Sequence, residues 1–107
     1  EGVVVPRIEQ FRPQLLLLGA GFDGHKKDAS QGMRLEARDY YFITRALLGA
    51  AQRCGSRVVS VLEGGSDASV VCECARYHIA ALMGEGLQEG GGEARAEVHA
   101  AEQSKSE

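Results

Sequence analysis

Apolar residues along the chain fall into two alternating spacings. From residue 2 to residue 11 they sit at positions 4, 5, 8 and 11, which predicts a helix. Pro6 fits such a helix only in its first turn or at a kink. Pro13 stops it, and Leu15 to Ala20 is a continuous apolar run closed by Gly21. Its length and flanks predict a buried strand. Residues 22–34 are polar and contain glycine, so they read as a long loop of the kind that is usually functional or disordered. From Leu35 to Arg53 the apolar positions are 35, 42, 43, 46, 47 and 50, an amphipathic helix that Gly55 would stop. Arg57 to Leu62 is short and β-branched, a second strand. Glu63 to Ser66 then reads as a tight loop. Asp67 is the predicted N-cap of a last helix running to Met83, with a stripe at Val71, Cys74, Ala75, His78, Ile79 and Leu82 and a stop at Gly84.

The predicted order is helix, strand, loop, helix, strand, loop, helix, which makes the fold class α/β. A strand–helix–strand unit implies parallel strands joined by a right-handed crossover. Parallel sheets need cover on both faces. Two strands alone keep two open edges and are marginally stable. The pattern therefore predicts a part of a larger α/β domain.

Composition refines this picture. The chain has 107 residues, 44% of them hydrophobic, enough for one core. The last large apolar cluster ends at Leu82-Met83. Residues 85–107, with Gly90-Gly91-Gly92 followed by Ala, Glu, Gln, Lys and Ser, bury too little apolar surface to offset their ordering entropy. A folded part over 1–84 and a low-complexity, disordered tail over 85–107 are expected. The net charge of −3 gives no basic footprint, so direct nucleic-acid binding is not expected. No apolar run approaches the ~20 residues that span a bilayer, so no membrane partner is expected. The start at Glu1 shows no basic leader, and the lack of an initial Met predicts a processed product or a segment of a longer protein. Three cysteines, Cys54, Cys72 and Cys74, are an odd number without a framework. They point to a reducing, intracellular setting, nuclear or cytoplasmic, and to structural roles.

Ligands of open α/β sheets bind beyond the carboxyl ends of the strands. Two loops occupy that edge: one with Asp23 and His25, the other with Glu63, Gly64, Gly65 and Ser66. Gly19 to Gly24 spells G-x-G-x-x-G, but a dinucleotide site needs a helix opening at its third glycine and an acidic residue about 20 positions on. Here a polar loop follows, and Thr44 stands 20 residues on. Asp23-Gly24-His25 could be a metal pair if the backbone is extended, since i and i+2 then point the same way. A catalytic zinc takes three protein ligands, and the only further candidate is Glu63. By spacing alone, Asp23 is more commonly a turn residue than a ligand. His78, on the buried stripe, reads as a core histidine rather than a base. His99 in the tail suggests nothing. Lys26 and Lys27 could touch an anion, but a solvated loop is the simpler reading.

These residues resemble a known family. Phe11-Arg12-Pro13-Gln14, then Leu15 to Leu18, then Gly19-Ala20-Gly21-Phe22-Asp23-Gly24-His25 and Asp28, are similar to the F-x-P-D-hydrophobic-x-x-A-G-F-D-A-H-x-x-D stretch of the histone deacetylase superfamily, including class II enzymes and acetylpolyamine amidohydrolases. Arg57 to Gly65 is similar to that family's strand and Glu-Gly-Gly-Tyr loop. The resemblance covers residues 3–84. It implies the C-terminal part of an arginase/deacetylase-like parallel-sheet domain. It also implies Zn2+ as cofactor, with Asp23 as one metal ligand. The implied reaction is hydrolysis of acetyl-lysine, in a histone or another protein, or of an acetylpolyamine, by a metal-bound water. Phe22, Gly64 and Gly65 would line the substrate.

Two departures limit that implication. The family's other zinc ligands and its paired histidines come from earlier strands, so the N-terminal part of the same domain is a missing partner and the chain by itself is expected to be inactive. At the position of the catalytic Tyr stands Ser66, whose hydroxyl is too short to reach as a phenol does. Losing one such donor costs ~10²–10³ in rate. The alternative to a deacetylase fragment is a pseudoenzyme or a module that binds acylated lysine.

Overall fold

The computed structural model describes residues 2–28 and 32–87. The elements run α1 (Val4–Phe11), β1 (Leu15–Gly21), α2 (Ala37–Cys54), β2 (Arg57–Gly64) and α3 (Ala68–Leu82). All five predicted elements are present, in the predicted order. The tail expected to be disordered lies, from residue 88 onward, outside the described residues.

Local chemistry explains each boundary. Pro6 lies in the first turn of α1, where a missing N–H costs no helical bond. The helix ends where Arg12 turns left-handed at φ 52°, its N–H donating to the Ile8 carbonyl at 2.9 Å. Pro13, next in line, disfavours a helical conformation at residue 12. α2 begins two residues later than the apolar pattern suggests. Glu36 is its N-cap, and the Asp39 side chain closes a capping box by accepting from the Glu36 N–H at 2.7 Å. Gly55 ends α2 at φ 69°, a conformation that suits glycine. Asp67 caps α3 by accepting from the N–H groups of Ser69 and Val70 at 2.9 and 3.3 Å.

The strands pair in parallel, Leu15 with Arg57 through Ala20 with Leu62. An irregularity then brings Gly21 opposite Gly64. β2 therefore runs two residues beyond Leu62: Glu63 and Gly64, expected in a tight loop, end the strand. The core cluster is Phe22, Ala37, Tyr40, Val70 and Cys74. One sheet face carries half-buried Val58 and Ser60. The other carries Leu15, Leu17, Val59 and Val61, each 47–65% exposed, an open apolar surface of the sort a parallel sheet covers with helices.

The two predicted stripes are buried only in part: Ala50, Cys74 and His78 are buried as expected. In α2 the buried residues are Ala37, Tyr40, Tyr41, Thr44, Ala50 and Ala51, whereas Phe42 and Ile43 are exposed. In α3 they are Val70, Cys74, His78 and Ala81, and Ile79 is exposed. α2 packs on α3 and on α1, and the faces bearing Phe42 and Ile79 stay about half exposed. Apolar character predicted burial there, and these side chains are exposed.

Candidate functional site

The two loops foreseen at the carboxyl edge of the sheet are joined. The Phe22 N–H donates to the Gly64 carbonyl at 3.0 Å, which extends the strand pairing into the turn after β1. That turn is tight: the His25 N–H donates to the Phe22 carbonyl at 3.2 Å and the Asp28 N–H to the His25 carbonyl at 2.9 Å. Leu35 closes the loop base, donating to Gly24 at 3.1 Å and accepting from Lys26 at 2.8 Å.

Asp23 sits at the meeting point of the strands. A Cβ added to Gly21 would lie 3.1 Å from its Oδ1, and one added to Gly64 3.7 Å from the same atom. Glycine at both strand ends therefore leaves the room this carboxylate occupies. The glycines that the sequence marks as substrate-lining include Gly65, which is exposed and at φ 132°, with no space for a side chain because Val71 fills it. Its neighbour Gly64 is half-buried.

Phe22, which the resemblance would place along the substrate, is 1% exposed within this chain. Its ring packs edge-on against Tyr40 at 5.0 Å and faces His78 at 6.0 Å. It is the floor that holds the Asp23 turn in place. The extended Asp23–His25 pair fails. The backbone there is a turn rather than a strand, His25 is buried, and its Nδ1 accepts from the Lys27 N–H at 3.1 Å. Glu63 leans over Gly19, where an added Cβ would run into its carboxylate. Among the described residues no three His, Cys, Asp or Glu side chains are grouped to hold a metal ion. Nor does a helix open at Gly24; the next one starts at Ala37, which removes the dinucleotide reading.

Ser66 is exposed, and its hydroxyl donates to Oδ2 of buried Asp28 at 3.2 Å. This tie between the two loops was invisible in the sequence, where Asp28 was one motif position among others. Tyr40 is a second residue the sequence reading passed over. Its hydroxyl is buried beneath Gly24, 3.0 Å from where a Cβ would stand. Burial raises its pKa, and Cys74 and Asp23 add to the effect. Lys26 pairs with Glu36 at 3.5 Å, and Arg38 pairs with the same carboxylate at 3.2 Å. Both are solvated contacts of little energetic weight.

Comparisons with known proteins agree on one family. A sequence model described as "Histone deacetylase domain" matches residues 1–82. Type-2 histone deacetylase 2 of Dictyostelium discoideum is 40% identical over 84 residues, which is 75% of this chain and 5% of that protein. Histone deacetylase 7 of Homo sapiens is 36% identical over 85 residues, 77% of this chain and 8% of that protein. Among solved structures, the histone deacetylase Clr3 superposes with a TM-score of 0.70 at 28% identity, over 83% of this chain and 14% of that one. The HD domain of HDA15 superposes with a TM-score of 0.68 at 27% identity, over 83% of this chain and 24% of that one.

Proposed function

We infer a function for this chain from one premise: it belongs to the histone deacetylase family. The chain spans 5–8% of the curated relatives' length, and its α/β fold is that of a part of a deacetylase domain. In our reading it is a segment of a zinc-dependent amide hydrolase acting on acetyl-lysine or an acetylpolyamine. It supplies one metal ligand, Asp23, and one wall of the substrate site, Gly64 to Ser66. The observation that supports this most is the placement of the Asp23 carboxylate over Gly21 and Gly64, at the shared carboxyl end of two parallel strands. The open apolar sheet face supports it too, because the rest of such a domain would cover it.

The residues present do not fit a zinc ion by themselves. One carboxylate is not three ligands, so no catalytic step is assigned to this chain alone. What its own residues do is local. Phe22 anchors the turn, the glycines make room for the carboxylate, and Asp28 holds Ser66.

The test is zinc content and deacetylation of the longest protein that contains these residues, with and without Asp23→Ala. Loss of both is expected. Zinc retained at full stoichiometry in the variant would sink the reading.

Ser66 favours a second reading, that of a pseudoenzyme or an acyl-lysine binding module. Its hydroxyl is short and already bonded to Asp28. Ser66→Tyr in the longer protein separates the two. A rate gain of ~10²–10³ supports a weakened enzyme, and no gain supports a binder.

A further inference from the structure

Three side chains outside the site form one connected line through the interior. The Thr44 Oγ1 of α2 lies 2.6 Å from the Tyr40 carbonyl and 2.7 Å from Nδ1 of His78 on α3. The other ring nitrogen, Nε2, lies 2.7 Å from Oγ of Ser60 on β2. The protons can be placed by counting donors. A carbonyl has none, so the Thr44 hydroxyl proton must lie between Thr44 and the Tyr40 oxygen. Thr44 then has only lone pairs to offer His78, and Nδ1 must carry the hydrogen. A neutral imidazole with Nδ1–H accepts at Nε2, and Ser60 donates there. The order is Ser60 O–H to His78, His78 N–H to Thr44, Thr44 O–H to Tyr40, each donor used once.

We propose that Ser60, His78 and Thr44 form a one-way hydrogen-bond relay that fastens α3 to β2 and α2 while His78 is neutral, and that protonation of His78 opens it. A second ring proton would point at the Ser60 hydroxyl proton. Ser60 would have to turn, and an uncompensated cation would stand in the core. Among the described residues, the groups against the ring carry no charge to offset it. α2 presents Thr44, β2 presents Ser60, and the turn after β1 presents Phe22; none of these titrates. The neighbouring titratable groups in the same core, Cys74 and Tyr40, are neutral, the thiol pushed up to about 11 by burial and the phenol raised as well. Burial also lowers the pKa of His78 from its usual 6.5.

The sign follows from linkage. A group held neutral in the fold contributes its stability above its unfolded pKa and loses it as pH falls through the folded value. The fold therefore loses stability on acidification from about 6.5, where the unfolded chain takes up the proton, and the relay itself opens at a lower pH, where folded His78 does. Its output lies at the other end of α3. That helix begins two residues after Ser66, so loosening it loosens the Ser66–Asp28 tie between the loops. The relay itself rests on no reading of the site's chemistry.

Two measurements on the intact chain test this. In the first, urea unfolding followed by tyrosine fluorescence is compared for the native chain and His78→Gln between pH 7.5 and pH 5. The native folding equilibrium constant is expected to fall by up to tenfold per pH unit below about 6.5, and the variant is expected to lack that component. An equal acid response in His78→Gln would assign the effect to another group and overturn the proposal. In the second, which needs no variant, long-range ¹⁵N NMR of the His78 ring at pH 7.5 is expected to show the neutral Nδ1–H tautomer. The Nε2–H tautomer, or an imidazolium, would overturn it.

Discussion

Ser66 and Asp28 are joined across the two loops by a 3.2 Å hydrogen bond, the serine exposed and the aspartate buried. The asymmetry of burial sets their unequal importance. Ser66→Ala removes one neutral donor at the surface and is expected to cost under ~1 kcal/mol. Asp28→Ala removes a buried carboxylate that its surroundings are built around, and ~1–3 kcal/mol is expected. Urea denaturation of the two variants checks the order; equal losses would place the stabilisation in the Ser66 bond itself.

Gly65 stands at φ 132°, with Val71 where its Cβ would go. Gly65→Ala thus meets both a backbone penalty and a clash, together on the order of 2–3 kcal/mol or more. Gly32, also at positive φ but with open space around it, is the control. Its alanine variant suffers the backbone penalty alone. A thermal-shift comparison should rank Gly65→Ala clearly below Gly32→Ala.

Among the described residues, Phe22 and Cys74 are the largest side chains that are fully buried. Phe22→Ala is expected to cost ~3–5 kcal/mol, as much as the whole stability of many small domains. Phe22→Leu, which keeps most of the volume, should cost far less. If Phe22→Ala melts like the parent, the turn that carries Asp23 is held by something other than this ring.

Asp67 predicts a local pH response. The Ser69 hydroxyl, then the Val70 and Ser69 N–H groups, hold its carboxylate below the usual value of 3.8. A lowered carboxylate contributes stability above its unfolded pKa and loses it as pH falls. Amide protection in the first turn of α3 should therefore weaken as pH drops from 5 to 3. Asp67→Asn keeps an acceptor and should flatten that response. A flat response in the parent would show that the cap does not order the turn.

The cysteines differ in reactivity. Burial pushes the Cys74 thiol up to about 11, while Cys72 is exposed. Thiolate is the reactive form, so alkylation at pH 8 should label Cys72 quickly and Cys74 only after denaturant is added. Mass-spectrometric mapping of the labelled sites distinguishes them; equal rates would mean that α3 opens readily in the native chain.

Element existence and order were legible in the sequence, because they depend on local spacing and punctuation. Pro13, Gly55, Asp67 and Gly84 each act within a few residues, and each marks the boundary its chemistry predicts. The carboxyl-edge position of Asp23 followed in the same way from a strand that ends at Gly21. Which residues are buried followed only in part: Cys74, His78 and Ala50 are buried as the stripes suggest. Phe42 and Ile79 have the apolar character of core positions, yet both are exposed. Ala50, which the pattern did mark, is buried, and so are Ala51 and Ala81, which it did not.

The site divides along the same line. The residue types that belong together, Asp23 and Gly64 to Ser66, were readable as motifs, since each motif is contiguous. The inner partners were not. Tyr40 beneath Gly24, Asp28 on Ser66, and Ser60 and Thr44 on His78 are separated by 16 to 38 residues, and no spacing rule connects them. A sequence records periodicity along one element, whereas a hydrogen bond between elements depends on how far each helix has rotated about its axis when it docks. The sequence by itself determined the elements, their order and the family. Only the tertiary structure decided that Phe22 packs on Tyr40 and His78, that Ser66 is tethered, and that His78 is the joint of three elements, because those outcomes depend on docking angles that packing alone sets.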